Sequence, residues 1–110
     1  MISRHWRGIV KREEADRYVA HLKSDTFPKL ASLAGFVRAS ILRREVATGT
    51  EFQVVTVWES LQAIRAFSGA DVEVAVVPPE AQAKMVEFDP RAAHYEVRSP
   101  LKALVGPLSS

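Results

Sequence analysis

The chain has 110 residues, of which 47% are apolar and 25% are charged, and its formal net charge at pH 7 is +2. This length and balance predict one globular domain without extensive disorder. The absence of Cys excludes disulfides, thiolate metal sites and thiol nucleophiles, and the absence of Asn excludes N-glycosylation. Neither a run of 18 apolar residues nor a signal-peptide core is present, so we expect a cytoplasmic protein without a membrane partner. The basic residues are scattered, so we expect no nucleic-acid partner.

Hydrophobic periodicity predicts strands and helices in sequence along the chain. The predicted elements are a strand at 2–10, a helix at 13–22 that continues in bent form to about 33, strands at 36–46 and 52–58, a helix at 61–67, a helix from 78 to about 87, and a strand at 93–98. Pro28 interrupts the first helix, whereas Pro78 and Pro79 suit the first turn of the third. We assign residues 1–98 to the domain and 99–110 to a C-terminal tail.

This order of elements is the split βαβ pattern of a ferredoxin-like α+β domain. It predicts a four-stranded antiparallel sheet with its helices on one side. The strand at 52–58 is nevertheless apolar on both faces, with Val54 and Trp58 on one face and Val55 and Val57 on the other. Monomers rarely expose a large apolar sheet face, so we expect a homodimer packed sheet against sheet.

Three segments carry a resemblance to a known family. They are Gly35-Phe36 at the entry to the second strand, Val55-Thr56-Val57-Trp58-Glu59-Ser60 at a strand-to-helix junction, and residues 63–67 after it. Together they resemble the antibiotic biosynthesis monooxygenase-like superfamily of dimeric α/β barrels. The resemblance covers about residues 2–98, and the closing His94-Tyr95-Glu96-Val97 strand looks like that of a subgroup of small bacterial members.

The resemblance implies a small-molecule pocket and several possible reactions. Some members oxidise phenolic or quinol-like polyketides with O2 and neither metal nor flavin, some degrade haem, and others are isomerases or cyclases. The haem-degrading members use an Asn, a Trp and a His at positions that correspond here to Trp6, Phe67 and Val77. Because none of the three is retained, we disfavour haem degradation.

The implied oxygenase chemistry requires one base, one cation and a dry pocket. We expect His94 to be the base, because an imidazole with its ordinary pKa of ~6.5 exchanges protons near neutral pH. We expect Arg4 to stabilise the oxyanion, since it shares a strand face with Trp6. Each has a structural alternative, which is a salt bridge across the dimer for Arg4 and a surface or interface position for His94.

Four aromatic residues are candidates for substrate binding. They are Trp6, Trp58, Phe67 and Tyr95. Trp58 and Phe67 also fit the hydrophobic core, and strand alternation places Tyr95 opposite to His94. The remaining histidines offer no metal-ligand spacing, and we expect His21 to be solvated, so we predict neither metal nor cofactor.

The sequence therefore predicts a cofactor-independent monooxygenase-like protein that acts on a small aromatic or polyketide-like substrate with O2. Two alternatives stay open at this point. One is a binding protein for a small molecule, and the other is an isomerase or cyclase, both with the same dimeric barrel fold.

Overall fold

The computed structural model describes residues 1–98, so the predicted tail at 99–110 lies outside the described residues. The strands are β1 (Ile2–Val10), β2 (Phe36–Val46), β3 (Gly49–Trp58), β4 (Met85–Phe88) and β5 (Ala93–Glu96). The helices are α1 (Ala15–His21), α2 (Phe27–Ala31), α3 (Leu61–Ser68) and α4 (Pro79–Gln82). A 3-10 turn at Arg12–Glu14 precedes α1, and a π-helical turn at Leu22–Thr26 joins α1 to α2.

The strands form one antiparallel sheet in the order β2-β3-β1-β4, and β5 also pairs with β1. Strand β4 pairs with Gly8–Val10, and β5 pairs with Ile2–His5. The two short strands therefore lie end to end along one edge of β1. This confirms the ferredoxin-like α+β class, although the sheet has five strands rather than the predicted four.

The extra strand occupies a segment that the sequence predicts as helix. Helix α4 ends at Gln82, and the chain becomes extended at Met85 because its backbone pairs with the free edge of β1. The pairing is extended by backbone bonds from Lys11 to Lys84 and from Asp89 to Arg7. Tertiary hydrogen bonding has thus overridden the local helical pattern.

The helices cover only one face of the sheet. Even-numbered residues of β1 and β3 lie on that covered face, as the facing pairs Trp6–Val54 and Gly8–Phe52 show. Odd-numbered residues such as Arg7 lie on the opposite, uncovered face. Within residues 1–98, no helix has the length and apolar character needed to cross a membrane.

Two clusters of buried apolar side chains fill the space between the sheet and the helices. The first includes Tyr18, Leu22 and Phe52, and the second consists of Leu30, Trp58 and Ile64. Members of both clusters line one cavity, which therefore lies where the two clusters meet.

Candidate functional site

The cavity between the sheet and the helices has a volume of about 60 Å³. The side chains that line it come from β1, β3, the helical segment 15–31, α3, the segment that leads into α4, and α4 itself. They are Arg4, Trp6, Tyr18, His21, Leu22, Thr26, Leu30, Val54, Thr56, Phe67, Val76, Val77, Pro78 and Ala81. Most of this lining is apolar, so the few polar groups define what the cavity can bind.

The helical wall of the cavity depends on the π-helical turn. Tyr18, Leu22, Thr26 and Leu30 all line the cavity at intervals of four residues. In an unbroken α-helix, a residue 12 positions after Tyr18 would be rotated by about 120° from it. The π-helical turn at Leu22–Thr26 winds less per residue, so it brings Leu30 back toward the same side.

Arg4 is the charged residue of the cavity, and only 4% of its surface is exposed. Its Nη2 donates to the carbonyl oxygen of Val74 at 2.8 Å, and its Nη1 donates to the carbonyl oxygen of Val72. Among the described residues, Arg4 has no carboxylate partner, and burial lowers its pKa. Because a buried cation without an anion is costly, Arg4 is suited to receive an anionic oxygen from a ligand.

His94 contacts Arg4 from the neighbouring strand. The two residues face each other in the β1–β5 pairing, and Nη1 of Arg4 donates to Nε2 of His94 at 2.9 Å. Since Nε2 accepts this bond, the neutral imidazole carries its proton on Nδ1. That Nδ1 is buried and has no hydrogen-bond partner among residues 1–98. Burial, and secondly the charge of Arg4, lowers the pKa of His94.

This geometry favours a positioning role for His94. The residue is absent from the lining of the cavity, and its accepting nitrogen is already bound to Arg4. A direct role as base would require that bond to break. The geometry instead places His94 where it fixes the orientation of the Arg4 guanidinium.

Tyr18 and His21 bring a hydroxyl and an imidazole to the opposite wall. Burial raises the pKa of Tyr18 well above its usual range, and its hydroxyl forms no hydrogen bond with the described residues. The His21 ring lies nearly parallel to the Tyr18 ring, with centroids 6.5 Å apart. Its side chain is only 14% exposed, with Nε2 3.9 Å from Oδ2 of Asp25. The prediction that His21 is solvated is therefore wrong, because one helical turn after Tyr18 it faces the same cavity.

The four aromatic candidates separate into two pairs. Trp6 and Phe67 line the cavity, and Nε1 of Trp6 donates to the carbonyl oxygen of Asp89 at 2.9 Å. Trp58 is fully buried behind Phe67, with ring centroids 6.1 Å apart, and belongs to the core. Tyr95 is exposed on the uncovered sheet face, 5.0 Å from the His5 ring.

The structure thus brings Arg4, Trp6 and Phe67 together and places His94 one contact away. It does not bring Trp58 or Tyr95 to the cavity. Sequence reasoning missed Tyr18 and His21. Their signal was available, since Tyr18 belongs to the apolar stripe of α1 and His21 follows at a spacing of three. In the part of the chain that the structure describes, no three His, Asp or Glu side chains come together as a metal site would require.

Comparisons with known proteins agree with this architecture. The family model named antibiotic biosynthesis monooxygenase matches residues 1–86. The chain therefore belongs to the antibiotic biosynthesis monooxygenase family, as its sequence pattern indicates. No curated protein matches the chain.

Two solved structures share the fold. One is a Bacillus cereus protein assigned by its name to antibiotic biosynthesis monooxygenases, with a TM-score of 0.66 and 21% identity, covering 94% of this chain and 96% of that one. The other is the ActVA-Orf6 monooxygenase of Streptomyces coelicolor in complex with nanaomycin D, with a TM-score of 0.60 and 19% identity, covering 92% and 90%. At these identities the likeness establishes the fold alone.

Proposed function

We propose that this protein is a cofactor-independent monooxygenase that oxidises a small phenolic or polyketide-like aromatic with O2. The observation that carries the proposal is the buried Arg4, which lines the cavity without a carboxylate partner among the described residues. Tyr18 and His21 supply the cavity with a hydroxyl and an imidazole. The single oxygen atom of a phenol can interact with all three groups. It gives its proton to the imidazole, and the resulting anion binds the guanidinium and the hydroxyl. Family membership and the Streptomyces coelicolor monooxygenase with its bound nanaomycin D support this class of substrate.

The proposed reaction converts a phenol into a quinone. His21 takes the phenolic proton, and the phenolate passes one electron to O2, which gives a substrate radical and superoxide. These combine in a new C–O bond at a ring carbon, and the proton returns from His21 to form a hydroperoxide. Loss of the ring C–H proton breaks the O–O bond and releases water, so one oxygen atom enters the ring and the other leaves as water.

Each cavity residue has a distinct part in this sequence. The Arg4 guanidinium stabilises the phenolate and then the peroxide, because a buried cation interacts strongly with a charge that develops nearby. The Tyr18 hydroxyl donates to the same oxygen. Trp6 and Phe67 flank the aromatic ring and exclude water. His94 holds Arg4, whereas its assignment as base stays a prediction that the following experiment decides.

The test is O2 consumption with a dihydroxynaphthalene whose hydroxyls lie on different rings, with quinone formation followed by absorbance. We expect His21→Gln to lower kcat/KM by about 100-fold or more, the usual effect of removing a general base. His5→Gln is the matched control, because His5 lies on the uncovered face and should leave the rate unchanged. If kcat/KM falls strongly in His94→Gln and is unchanged in His21→Gln, His94 rather than His21 is the base.

The same experiment separates oxidation from binding. If the wild-type protein consumes no O2 beyond the protein-free rate, the oxygenase proposal is overturned. A saturable ligand-induced rise in Tm without product would then favour the binding protein. A rearranged product formed without O2 would favour the isomerase or cyclase.

We further propose that two copies associate through the uncovered sheet face. This face carries the exposed Leu42 and Tyr95 and the partly buried Val55. Its carboxylate at Glu51 is already neutralised by arginines, so it presents little unpaired negative charge to a second copy. Sedimentation that gives only a 12.2 kDa species across micromolar concentrations would contradict the dimer. A cytoplasmic location stays a prediction, which fractionation of producing cells would test.

A further inference from the structure

A second depression adjoins the cavity and shares a wall with it. This outer groove has a volume of about 430 Å³. Four residues line both spaces, namely Thr26, Phe67, Val76 and Pro78. They come from the π-helical turn, α3 and the segment before α4, so the wall is built from three separate parts of the chain. The cavity and the outer groove are therefore neighbouring compartments separated by single side chains.

The volume of the cavity is too small for the ligand that its polar groups favour. A closed apolar cavity of about 150 Å³ is known to accept benzene. The cavity here has about 60 Å³, which is less than half of that. An aromatic ligand whose oxygen reaches Arg4 must therefore displace part of the shared wall or extend through it. Beyond that wall, the outer groove is the adjoining space.

The outer groove differs chemically from the cavity. Leu33 and Ala66 contribute to its lining, and Val76 in the shared wall is 43% exposed although it is apolar. Lys29 and Asp25 lie on the same groove but pair with each other, with Nζ and Oδ1 3.1 Å apart. Because the two charges cancel, the outer groove favours an apolar group over a charged one.

We propose that the outer groove is the second half of the ligand site and binds the distal apolar ring of a phenolic compound. The phenolic oxygen lies at Arg4 in the cavity, and the compound passes the shared wall beside Phe67. Phe67 thereby determines how far a ligand reaches into the outer groove. This inference rests on the proposed function, because it takes the phenolic end of the ligand from it.

The test is calorimetric binding of phenol, naphthol and phenylphenol in the absence of O2. In the wild-type protein we expect affinity to rise about tenfold or more from phenol to phenylphenol, since a second ring is buried. Ala66→Trp fills the outer groove from α3, so it should remove this gain by lowering the affinity for phenylphenol about tenfold more than the affinity for phenol. Ala20→Trp is the matched control, because Ala20 is an exposed helical alanine outside both compartments and should keep the gain.

Ser32→Trp fills the outer groove from the other side and serves as a second variant if Ala66→Trp does not fold. An equal gain in wild type and both groove-filling variants would overturn the proposal, because the second ring then binds elsewhere. A wild-type protein that shows no gain, or binds none of the three compounds, would overturn it as well. Length-dependent binding without O2 consumption refutes the proposed reaction alone, whereas O2 consumption without length dependence refutes only the outer groove.

Discussion

Arginine side chains on the two faces of the sheet have opposite environments. Arg4 and Arg7 lie three residues apart on β1 and therefore point to different faces. Arg7, on the uncovered face, is 36% exposed, and its Nε lies 2.7 Å from Oε2 of Glu51. Arg44 binds the other oxygen of Glu51 at the same distance. Arg4, on the helix-covered face, is deeply buried and binds two carbonyl oxygens and His94.

From this difference we infer that the covered face is the one arranged to bind a ligand. On the uncovered face, a carboxylate that is only 8% exposed is satisfied by two arginines of the same chain. On the covered face, no carboxylate within residues 1–98 compensates Arg4, although its burial makes compensation more necessary. The charge of Arg4 is therefore available to a ligand.

The largest expected effect comes from exchanging these two arginines for Met, one at a time. Arg4→Met removes the cation beside the proposed phenolate and should lower kcat/KM for O2 consumption by about 100-fold or more. Arg7→Met alters the opposite face and should leave kcat/KM close to the wild-type value. Both variants should be compared by thermal melting, because Arg4→Met also leaves the carbonyls of Val72 and Val74 without a donor. Equal rates in the two variants would remove the functional distinction between the faces.

The next effect tests how Arg4 is held. His94→Leu removes the acceptor for Nη1 of Arg4 and should lower kcat/KM by about tenfold, since a loosened oxyanion donor loses part of its effect. His94→Gln offers an amide oxygen to the same nitrogen and should restore most of the rate. A general base is not rescued in this way, because an amide does not take up a proton near neutral pH. If His94→Gln is as slow as His94→Leu, the positioning role is wrong.

The pH dependence of the rate in wild type and in His94→Gln gives an independent check of the positioning role of His94. Burial and the adjacent guanidinium lower the pKa of His94 from its usual value of ~6.5. Protonation of His94 would place a second cation beside Arg4. Glu73 acts to raise the pKa of His94, whereas His5 lowers it further. Protonation of the proposed base gives both proteins an acidic limb, but below pH ~6.5 the wild-type rate should fall more steeply than the rate of His94→Gln, which lacks the second titrating imidazole beside Arg4. An acidic limb that is identical in both proteins would contradict this.

A smaller effect is expected from the packing of Trp6 on Gly8. A Cβ added at Gly8 would lie 2.5 Å from Cη2 of Trp6 and 3.3 Å from Cβ of Phe88. Gly8→Ala should therefore turn the indole, weaken its bond to the carbonyl of Asp89, and destabilise the protein by about 1–3 kcal/mol. Phenol affinity should fall several-fold in calorimetry. Ser40→Ala, at an exposed position of β2 on the uncovered face, should change neither quantity.

The smallest effect concerns the uncovered face alone. Hydrogen bonds from Arg44 and Arg7 lower the pKa of Glu51. A carboxylate whose pKa is lower in the folded state stabilises the protein above its unfolded pKa of ~4.3, and this stabilisation is lost as the pH falls through the folded pKa. Glu51→Gln should therefore lower Tm by a few degrees at pH ~7 and less at pH ~3. A difference in Tm that stays constant over this pH range would contradict the prediction.

Local patterns in the sequence were sufficient to predict some parts of the site. Alternation along β1 places Arg4 and Trp6 on one face, and the structure has them in one cavity. The short strand at Met85–Phe88 was not predictable, because its conformation depends on a free edge of β1 that is more than 70 residues away in the chain. The contact between His94 and Arg4 has the same origin, since the register of β5 on β1 creates it. His21 was missed because histidine occurs about as readily at the surface as in the interior, although its spacing of three from Tyr18 on the apolar stripe indicated the buried side.

The π-helical turn lets the helical wall of the cavity hold one residue more than an ordinary α-helix would need. Each residue of an α-helix turns the chain by about 100°, so a residue 11 positions after Tyr18 would lie only about 20° from it, whereas one 12 positions after it would lie about 120° away. Loss of the exposed Ser24 would place Leu30 at the first of these spacings, and an ordinary α-helix would then keep Leu30 on the side occupied by Tyr18. Insertion of one more residue would have the opposite effect, because the turn would have to absorb a second extra residue or rotate Leu30 out of the wall. The cavity should therefore tolerate a deletion at this turn better than an insertion, although neither changes a residue of its lining.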